Sequence, residues 1–266
     1  MIAWNWLNLV VFDLANQRFP DAVKEDALNK PWRPIPAGYI TPKQMRQVLL
    51  ASIPVVFGIN RFFLGAWQAT SLLFGLTWMY NDLKGGEEDW LLRKLIIGSA
   101  FALYKCGSLR VASGADYSLH SGGIRWVAII ADVIFSTMHI QDLKDIAGDR
   151  AKDRKSAPLV LGDGTARWTI TVPLLAWSLI CPLYLGVGLP TIILPVALGT
   201  YIALRTLWMR GPREDRKSWY LWAAWLVCLY VLPLAKGYPT LRTDLFNLWD
   251  NDYIRGLGSH IMLHSP

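Results

Sequence analysis

Apolar residues along the chain are gathered into eight blocks separated by polar stretches. The blocks lie near residues 2–20, 43–60, 62–80, 90–113, 121–142, 166–186, 189–208 and 218–236. A helix needs roughly 20 apolar residues to cross a ~30 Å hydrocarbon core, and the first block falls short because polar sequence begins at Asn16. The pattern predicts an all-α, polytopic membrane bundle of eight transmembrane helices, forming one domain over residues 1–266.

The composition supports the same class. Hydrophobic residues make up 53% of the chain and charged residues 18%, whereas a soluble domain has roughly 25% charged residues. The three cysteines, Cys106, Cys181 and Cys228, lie inside apolar blocks without a C-x-x-C spacing. The sequence therefore indicates neither a soluble globule nor a disulfide framework or zinc site.

The positive charges are distributed unevenly between the loops. The net charge is +7, and 20 of the 27 Lys and Arg residues fall in the stretches 18–46, 84–94, 144–167 and 205–217, which eight spans would place on one side. By the positive-inside rule this side is cytoplasmic. We therefore expect the basic charge to reflect topology in a lipid bilayer and expect no nucleic-acid partner. The sequence does not identify the organelle, and the endoplasmic reticulum is a working assumption.

One cytoplasmic loop carries a regular set of carboxylates. Asp142, Asp145 and Asp149 are spaced by three and four residues, so a helix would place them on one face. Their mutual repulsion favours a bound divalent cation, and oxygen ligands suit Mg²⁺. The alternative is a solvated helix end whose charge is balanced by nearby Lys and Arg residues.

A second cluster of oxygen ligands lies in the first loop of the same side. Its candidate metal ligands are Asn16, Asp21, Glu25 and Asp26. Basic residues follow each cluster, Lys30 and Arg33 after the first and Arg154 and Lys155 after the second. Because Mg²⁺ is usually held by one or two carboxylates plus phosphate oxygens, and Arg and Lys recognise phosphates, the pair of clusters predicts a diphosphate site.

These two loops resemble the motifs of the UbiA superfamily of intramembrane prenyltransferases. The stretch 26–36, Asp-Ala-Leu-Asn-Lys-Pro-Trp-Arg-Pro-Ile-Pro, is similar to the first family motif, and the second is matched by Asp142, Asp145, Gly148 and Asp149. The family places its motifs after the second and sixth of nine helices. Here they follow the first and fifth blocks, so the chain resembles a member without the first helix. The first motif looks most like that of the fungal terpene cyclase branch.

Ionisable residues inside membrane spans are costly and often functional. Asp132 and His139 lie before Asp142 at spacings that predict roughly the same helical face, below the metal site. Lys105 and Arg110 lie in the fourth block and are expected to reach the diphosphate. The candidate catalytic residues are therefore Asp132, His139 and Lys105, with Arg110 added to the diphosphate ligands. Buried structural hydrogen bonds, or an Arg110 that extends to the far interface, remain the alternatives.

The resemblance implies Mg²⁺-dependent ionisation of a prenyl diphosphate inside the membrane. The allylic cation would then cyclise to a terpene, guided by the aromatic residues deep in the blocks, which are Trp4, Phe12, Trp78, Phe101, Phe135, Trp177, Trp222 and Trp225. The first alternative is transfer of the prenyl group to a phenolic or quinone-precursor acceptor. A more remote alternative is a cation transporter whose carboxylates bind ions.

Overall fold

A computed structural model describes residues 1–114 and 121–235. This part of the chain is helical and contains no strand. The helices are α1 (Ile2–Gln17), α2 (Pro20–Asn29), α3 (Pro42–Ile59), a π-helical turn (Asn60–Leu64), α4 (Trp67–Asn81), α5 (Trp90–Ser113), α6 (Ser121–Thr137), α7 (Ile140–Ala151), α8 (Ala157–Leu161), α9 (Asp163–Leu185), α10 (Leu189–Trp208) and α11 (Pro212–Ala235).

Each of the eight apolar blocks corresponds to one helix, namely α1, α3, α4, α5, α6, α9, α10 and α11. Of the described helices, five are long and apolar enough to cross a membrane: α3 with its π-helical turn, α5, α9, α10 and α11. Helices α6 and α7 meet the same criterion together, bent by 47°. Helices α1 and α4 have only 16 and 15 residues. The all-helical class is confirmed and the chain is an integral membrane protein, whereas the count of eight spans stays a prediction.

Two short polar helices carry the acidic clusters. Pro20 occupies the first turn of α2 together with Asp21, because proline fits where a helix lacks hydrogen-bond acceptors and a carboxylate favours the positive end of the helix dipole. Helix α7 begins directly after His139, where the chain bends away from α6. It ends before Asp153, whose φ of 53° terminates the helical conformation. Both acidic clusters therefore lie on helices of their own.

The core is divided between two groups of helices. Buried side chains of α6, α7, α9, α10 and α11 form one cluster, which includes Ile134 and Leu174. Two smaller clusters join α1 to α3, and α1 to α4 and α5. Trp4 of α1 is completely buried, and a Cβ at Gly107 of α5 would lie 2.2 Å from its indole. The glycine therefore allows α1 and α5 to pack closely, while α5 also packs against α6.

A buried ion pair joins the ends of α9 and α11. Both terminal nitrogens of Arg167 donate to Asp215, at 2.7 and 2.9 Å, and one also donates to the backbone carbonyl of Thr206 in α10. Arg167 and Asp215 are both almost fully buried. Because a buried charge without a partner is strongly destabilising, this network holds the three helices in a fixed relation.

Candidate active site

Helices α2 and α7 pack against each other, so the two acidic clusters lie side by side. Asn29 of α2 lies over Gly148 of α7, and a Cβ at position 148 would come within 2.1 Å of the Asn29 side-chain nitrogen. Only glycine permits this approach without a shift of the Asn29 side chain or of one helix. The asparagine of the first motif and the glycine of the second thus form the contact between the two helices.

A buried ion-pair network connects the ends of the two loops. The guanidinium of Arg154 donates to both carboxylate oxygens of Glu25, at 2.9 and 2.8 Å, and also to Asp149 at 2.8 Å. Lys152 lies 3.4 Å from Glu25 and 2.8 Å from Glu87, and Glu87 belongs to the loop between α4 and α5. Ion pairs therefore join three separate segments of the chain, which are α2, the end of α7 with the residues after it, and the loop between α4 and α5.

Asp26 takes part in a different set of contacts. Its carboxylate accepts hydrogen bonds from Arg33 at 2.8 Å to each oxygen, and Lys30 lies 4.0 Å away. Arg33 also lies 4.0 Å from Asp13 in α1. Glu25 and Asp26 are adjacent in sequence but point in different directions on α2, so one binds the Arg154 network while the other binds Arg33.

Two carboxylates of α7, those of Asp142 and Asp149, are buried and only partly satisfied. Asp142 lies 3.0 Å from Arg93 of α5 without the alignment of a hydrogen bond, and its Oδ1 atom has no hydrogen-bond partner. Oδ2 of Asp149 is likewise buried and without a partner, while Asp145 pairs with Lys144. Buried carboxylate oxygens without donors are costly. They are the atoms in this site that fit a divalent cation.

The carboxylates do not form a compact metal cage in this structure. Within residues 1–114 and 121–235, no three His, Cys, Asp or Glu side chains lie together as a group that could hold a metal ion. Instead, Asp26, Asp142 and Asp149 each face an arginine. A cation bound at any of these positions would consequently be coordinated by only one or two protein carboxylates and would need further oxygen ligands.

The electrostatics of α2 follow from these contacts. Burial raises the pKa of Glu25, but the charges of Arg154 and Lys152 outweigh burial and hold the pKa below its ordinary value. Burial lowers the pKa of Lys30, and the nearby charge of Arg33 lowers it further, against the opposing effect of Asp145 and Asp26. Glu25 is thus held in its charged form, and the charge on Lys30 is favoured by carboxylates of both α2 and α7.

Three of the predicted site residues lie outside this network. Asn16 donates to the side-chain oxygen of Asn81 at 3.0 Å, at the end of α4. Asp21 is exposed and faces Lys84 at 3.8 Å. The side chain of Lys155 is exposed, although its backbone N–H donates to the carbonyl of Glu87.

The three candidate catalytic residues are separated from one another. Asp132 is exposed on α6, whereas His139 is buried at the bend before α7, with its Nε2 atom 3.0 Å from the Thr169 hydroxyl. The ammonium of Lys105 lies 3.6 Å from the ring centroid of Tyr230 in α11. The structure therefore does not group Asp132, His139 and Lys105 as one set.

Arg110 lies at the wrong end of the bundle for a diphosphate ligand. It is 17 residues beyond Arg93 on the same helix, which at ~1.5 Å per residue is about 26 Å along the axis. Its side chain lines a cavity with Arg61 and Trp67 instead. The expectation that Arg110 reaches the acidic site is wrong, because Arg110 lies at the end of α5 that is distant from Arg93 and Asp142.

Four further charged residues take part in the contacts of the candidate site and were not predicted as site residues: Asp13, Glu87, Arg93 and Lys152. Arg93 is buried against Asp142 in the first turn of α5. The available signal was its position, because residues 84–94 fall on the same side of the membrane as both acidic loops. Its place inside an apolar block concealed that role.

The deep aromatic residues do not share one surface. Trp222 donates to Thr137 and Trp225 donates to Ser178, and both are buried in the core cluster. Trp78, by contrast, is 55% exposed on the outside of the helices. Some of these rings therefore serve packing, and Trp78 faces away from any interior cavity.

Comparison with known proteins gives one family and several curated relatives. The UbiA prenyltransferase family matches residues 20–236. The chain is 28% identical to the fumagillin beta-trans-bergamotene synthase of Aspergillus fumigatus, with 91% of this chain and 81% of the relative covered. It is 30% identical to a diterpene cyclase of Hericium erinaceus, with 86% of this chain and 72% of the relative covered.

A relative named for a different reaction also matches. A polyprenyl transferase of Hericium erinaceus is 28% identical, covering 87% of this chain and 78% of the relative. No solved structure matches. The family match extends over both acidic helices and all the charged contacts between them, except those of Asp13. The chain therefore belongs to the UbiA prenyltransferase family and is an enzyme.

Proposed function

We propose that the protein ionises a prenyl diphosphate at the junction of α2 and α7 and cyclises the resulting cation to a terpene. The observation that carries the proposal is the meeting of the two acidic helices, with Asn29 against Gly148 and Arg154 between Glu25 and Asp149. This arrangement brings carboxylates and basic groups together in one place. A diphosphate with its counter-cations requires such a mixture.

The basic residues of the site would bind the diphosphate. Arg33, Lys30 and Arg93 each lie against a carboxylate. We infer that they turn from these carboxylates to the phosphate oxygens when substrate binds. The C–O bond then breaks, both electrons leave with pyrophosphate, and the arginines stabilise the charge that develops on it. Arg154 keeps the loops together during this exchange.

Magnesium is the cofactor we propose for this site. Asp26, Asp142, Asp145 and Asp149 would hold it, and the buried oxygens Asp142 Oδ1 and Asp149 Oδ2 accept no hydrogen bond. Mg²⁺ commonly binds through one or two carboxylates and completes its shell with phosphate oxygens and water, so a cage of three carboxylates is not required. When bound, it would neutralise charge on the departing pyrophosphate.

Cyclisation is favoured over transfer by the absence of a second polar cluster for an acceptor. Among the described residues, Asp132, His139 and Lys105 lie apart from one another, and His139 is already bound to Thr169. A cyclase needs an apolar cavity and a weak base for the final proton. The relatives named as a bergamotene synthase and a diterpene cyclase support the same choice.

The test is to incubate the purified protein in detergent or lipid with C10, C15 and C20 prenyl diphosphates and Mg²⁺. Pyrophosphate is quantified and extracts are analysed by mass spectrometry. The proposal predicts a cyclic terpene with stoichiometric pyrophosphate in the absence of any acceptor. A Glu88→Gln variant, which removes an exposed carboxylate from the α4–α5 loop, is the matched control and should retain activity.

The second candidate function is transfer of the prenyl group to an aromatic acceptor. It is favoured by the relative named as a polyprenyl transferase. Turnover that appears only after a phenolic or quinone-precursor acceptor is added would establish transfer and exclude cyclisation. Cation transport by the carboxylates would produce no pyrophosphate under either condition.

A further inference from the structure

The start of α5 carries two consecutive cations that are almost completely buried. Arg93 and Lys94 are each 7% exposed, and α5 begins beside the acidic helices because Arg93 lies 3.0 Å from Asp142 of α7. The two neighbours differ in their partners. Within residues 1–114 and 121–235, no carboxylate oxygen lies within 4.0 Å of the Lys94 ammonium. Lys94 is therefore a buried cation without an ion pair in the described part of the chain.

The ammonium of Lys94 rests on aromatic rings. Its Nζ atom lies 4.5 Å from the ring centroid of Trp90 and 5.1 Å from that of Phe135 in α6. Trp90 also lies next to His139, with ring centroids 6.2 Å apart. His139 directly precedes α7, whose first turn carries Asp142. Lys94 thus lies at the bend between α6 and α7, beside the start of the helix that carries the second acidic cluster.

The two rings compensate only part of the cost of burying this charge. Removing an ammonium from water costs more free energy than contact with an aromatic face returns. An apolar side chain at position 94 would pack against the same rings without that cost. The buried ammonium consequently indicates a ligand that supplies negative charge.

We propose that Lys94 binds an oxygen of the prenyl diphosphate and is a further diphosphate-binding residue of this enzyme. This inference rests on the proposed function and deepens it. Lysine suits the role because its ammonium is a compact point charge that phosphate oxygens can approach from several directions.

Lys94 differs in one respect from the other proposed diphosphate ligands. Arg33, Lys30 and Arg93 each lie against a carboxylate, so the broken ion pair offsets part of their attraction for phosphate. Lys94 exchanges only aromatic contacts, and its attraction for the diphosphate is offset least. When the C–O bond of the substrate breaks and its electrons leave with pyrophosphate, this ammonium stabilises the departing charge.

The test is to measure the dissociation constant of inorganic pyrophosphate by titration calorimetry on the full chain in detergent with Mg²⁺. Lys94→Met removes the charge and keeps a long, unbranched side chain. We expect its pyrophosphate Kd to rise about tenfold, the loss expected for one charge-assisted hydrogen bond. Its Tm should not fall, because a buried charge without a partner has been removed. The matched control is Lys43→Met, which removes an exposed lysine at the start of α3 and should bind pyrophosphate normally.

A purely structural role for Lys94 predicts the opposite pattern, a lower Tm with an unchanged pyrophosphate Kd, and that result would overturn the proposal. An equal rise in Kd for Lys43→Met would overturn it as well. If Lys94→Met does not fold, Lys94→Gln replaces it. A wild-type chain that releases no pyrophosphate from any prenyl diphosphate refutes the proposed function and this inference together. Normal release by the wild type, combined with an unchanged Kd in the variant, refutes the inference alone.

Discussion

Arg154 and Glu25 form a bidentate ion pair, with N···O distances of 2.9 and 2.8 Å, although they lie 129 positions apart in the sequence. Both side chains are less than one-tenth exposed. The pair joins the end of α7 to α2, and through Asp149 it reaches the second acidic cluster. One guanidinium therefore connects the two acidic helices.

Removal of either partner should destabilise the protein. Arg154→Gln leaves the buried Asp149 without its cationic partner, which typically costs about 3 kcal/mol or more of unfolding free energy. Glu25→Gln should cost less, because Arg154 still pairs with Asp149 and Lys152 with Glu87. We expect a clear decrease in Tm of the detergent-solubilised protein. Lys24→Gln changes an exposed residue of the same helix and should leave Tm unchanged. Equal Tm values for all three variants would show that the pair contributes little.

The acidic residues and the metal should be required together. Asp26→Ala, Asp145→Ala and Asp149→Ala should each lower the rate of pyrophosphate release on the order of 10²-fold or more, because each removes several kcal/mol of transition-state stabilisation. EDTA should abolish activity, and added Mg²⁺ should restore it. Full activity of these variants in EDTA would refute a metal site on α2 and α7.

The contact between Asn29 and Gly148 permits a test with one added methyl group. Gly148→Ala should displace the Asn29 side chain or the helix that carries it, because the new Cβ would lie 2.1 Å from the Asn29 nitrogen. A displacement of about 1 Å can cost on the order of 10²-fold in rate. We expect a large loss of kcat measured by pyrophosphate release.

The matched control is Gly164→Ala in the first turn of α9, where no atom lies within 4 Å of the added Cβ. This substitution should retain activity. If Gly148→Ala is as active as Gly164→Ala, close packing of the two motifs is not needed for catalysis.

The two acidic loops should be accessible from the same side of the membrane. Lys24 and Lys155 have exposed side chains near the two clusters, and Arg125 is exposed near the start of α6. In a chain without its three native cysteines, Lys24→Cys and Lys155→Cys should react with an impermeant maleimide from one side of sealed vesicles, the cytoplasmic one. Arg125→Cys should react from the other side. Labelling of the first two from opposite sides would refute the predicted topology.

The sequence predicted the long helices well because their signal is the length of each apolar block. Each of the eight blocks corresponds to a helix, whereas the length criterion for a membrane span excludes α1 and α4. The short helices α2, α7 and α8 were not predicted as separate elements. Their stability depends on tertiary contacts, such as those of Asn29 with Gly148, which hydropathy does not encode.

For the site, sequence spacing identified the acidic residues but not their partners. Steps of three and four correctly placed Asp142, Asp145 and Asp149 on one short helix. Spacing could not show that Glu25 and Asp26 point in different directions, or that Arg93 would face Asp142. These contacts arise from the packing of helices distant in sequence, and Arg110 was misplaced for the same reason.

The shortness of α4 has a consequence for how a lipid-like substrate reaches the site. At ~1.5 Å per residue, this helix extends only about 22 Å. A bilayer adapts to such a hydrophobic mismatch by local thinning. Helix α4 ends beside the acidic site, where Asn81 accepts a hydrogen bond from Asn16 of α1. We therefore expect a dip in the membrane surface there, which would allow a charged head group to descend to the carboxylates while its tail stays within the acyl chains.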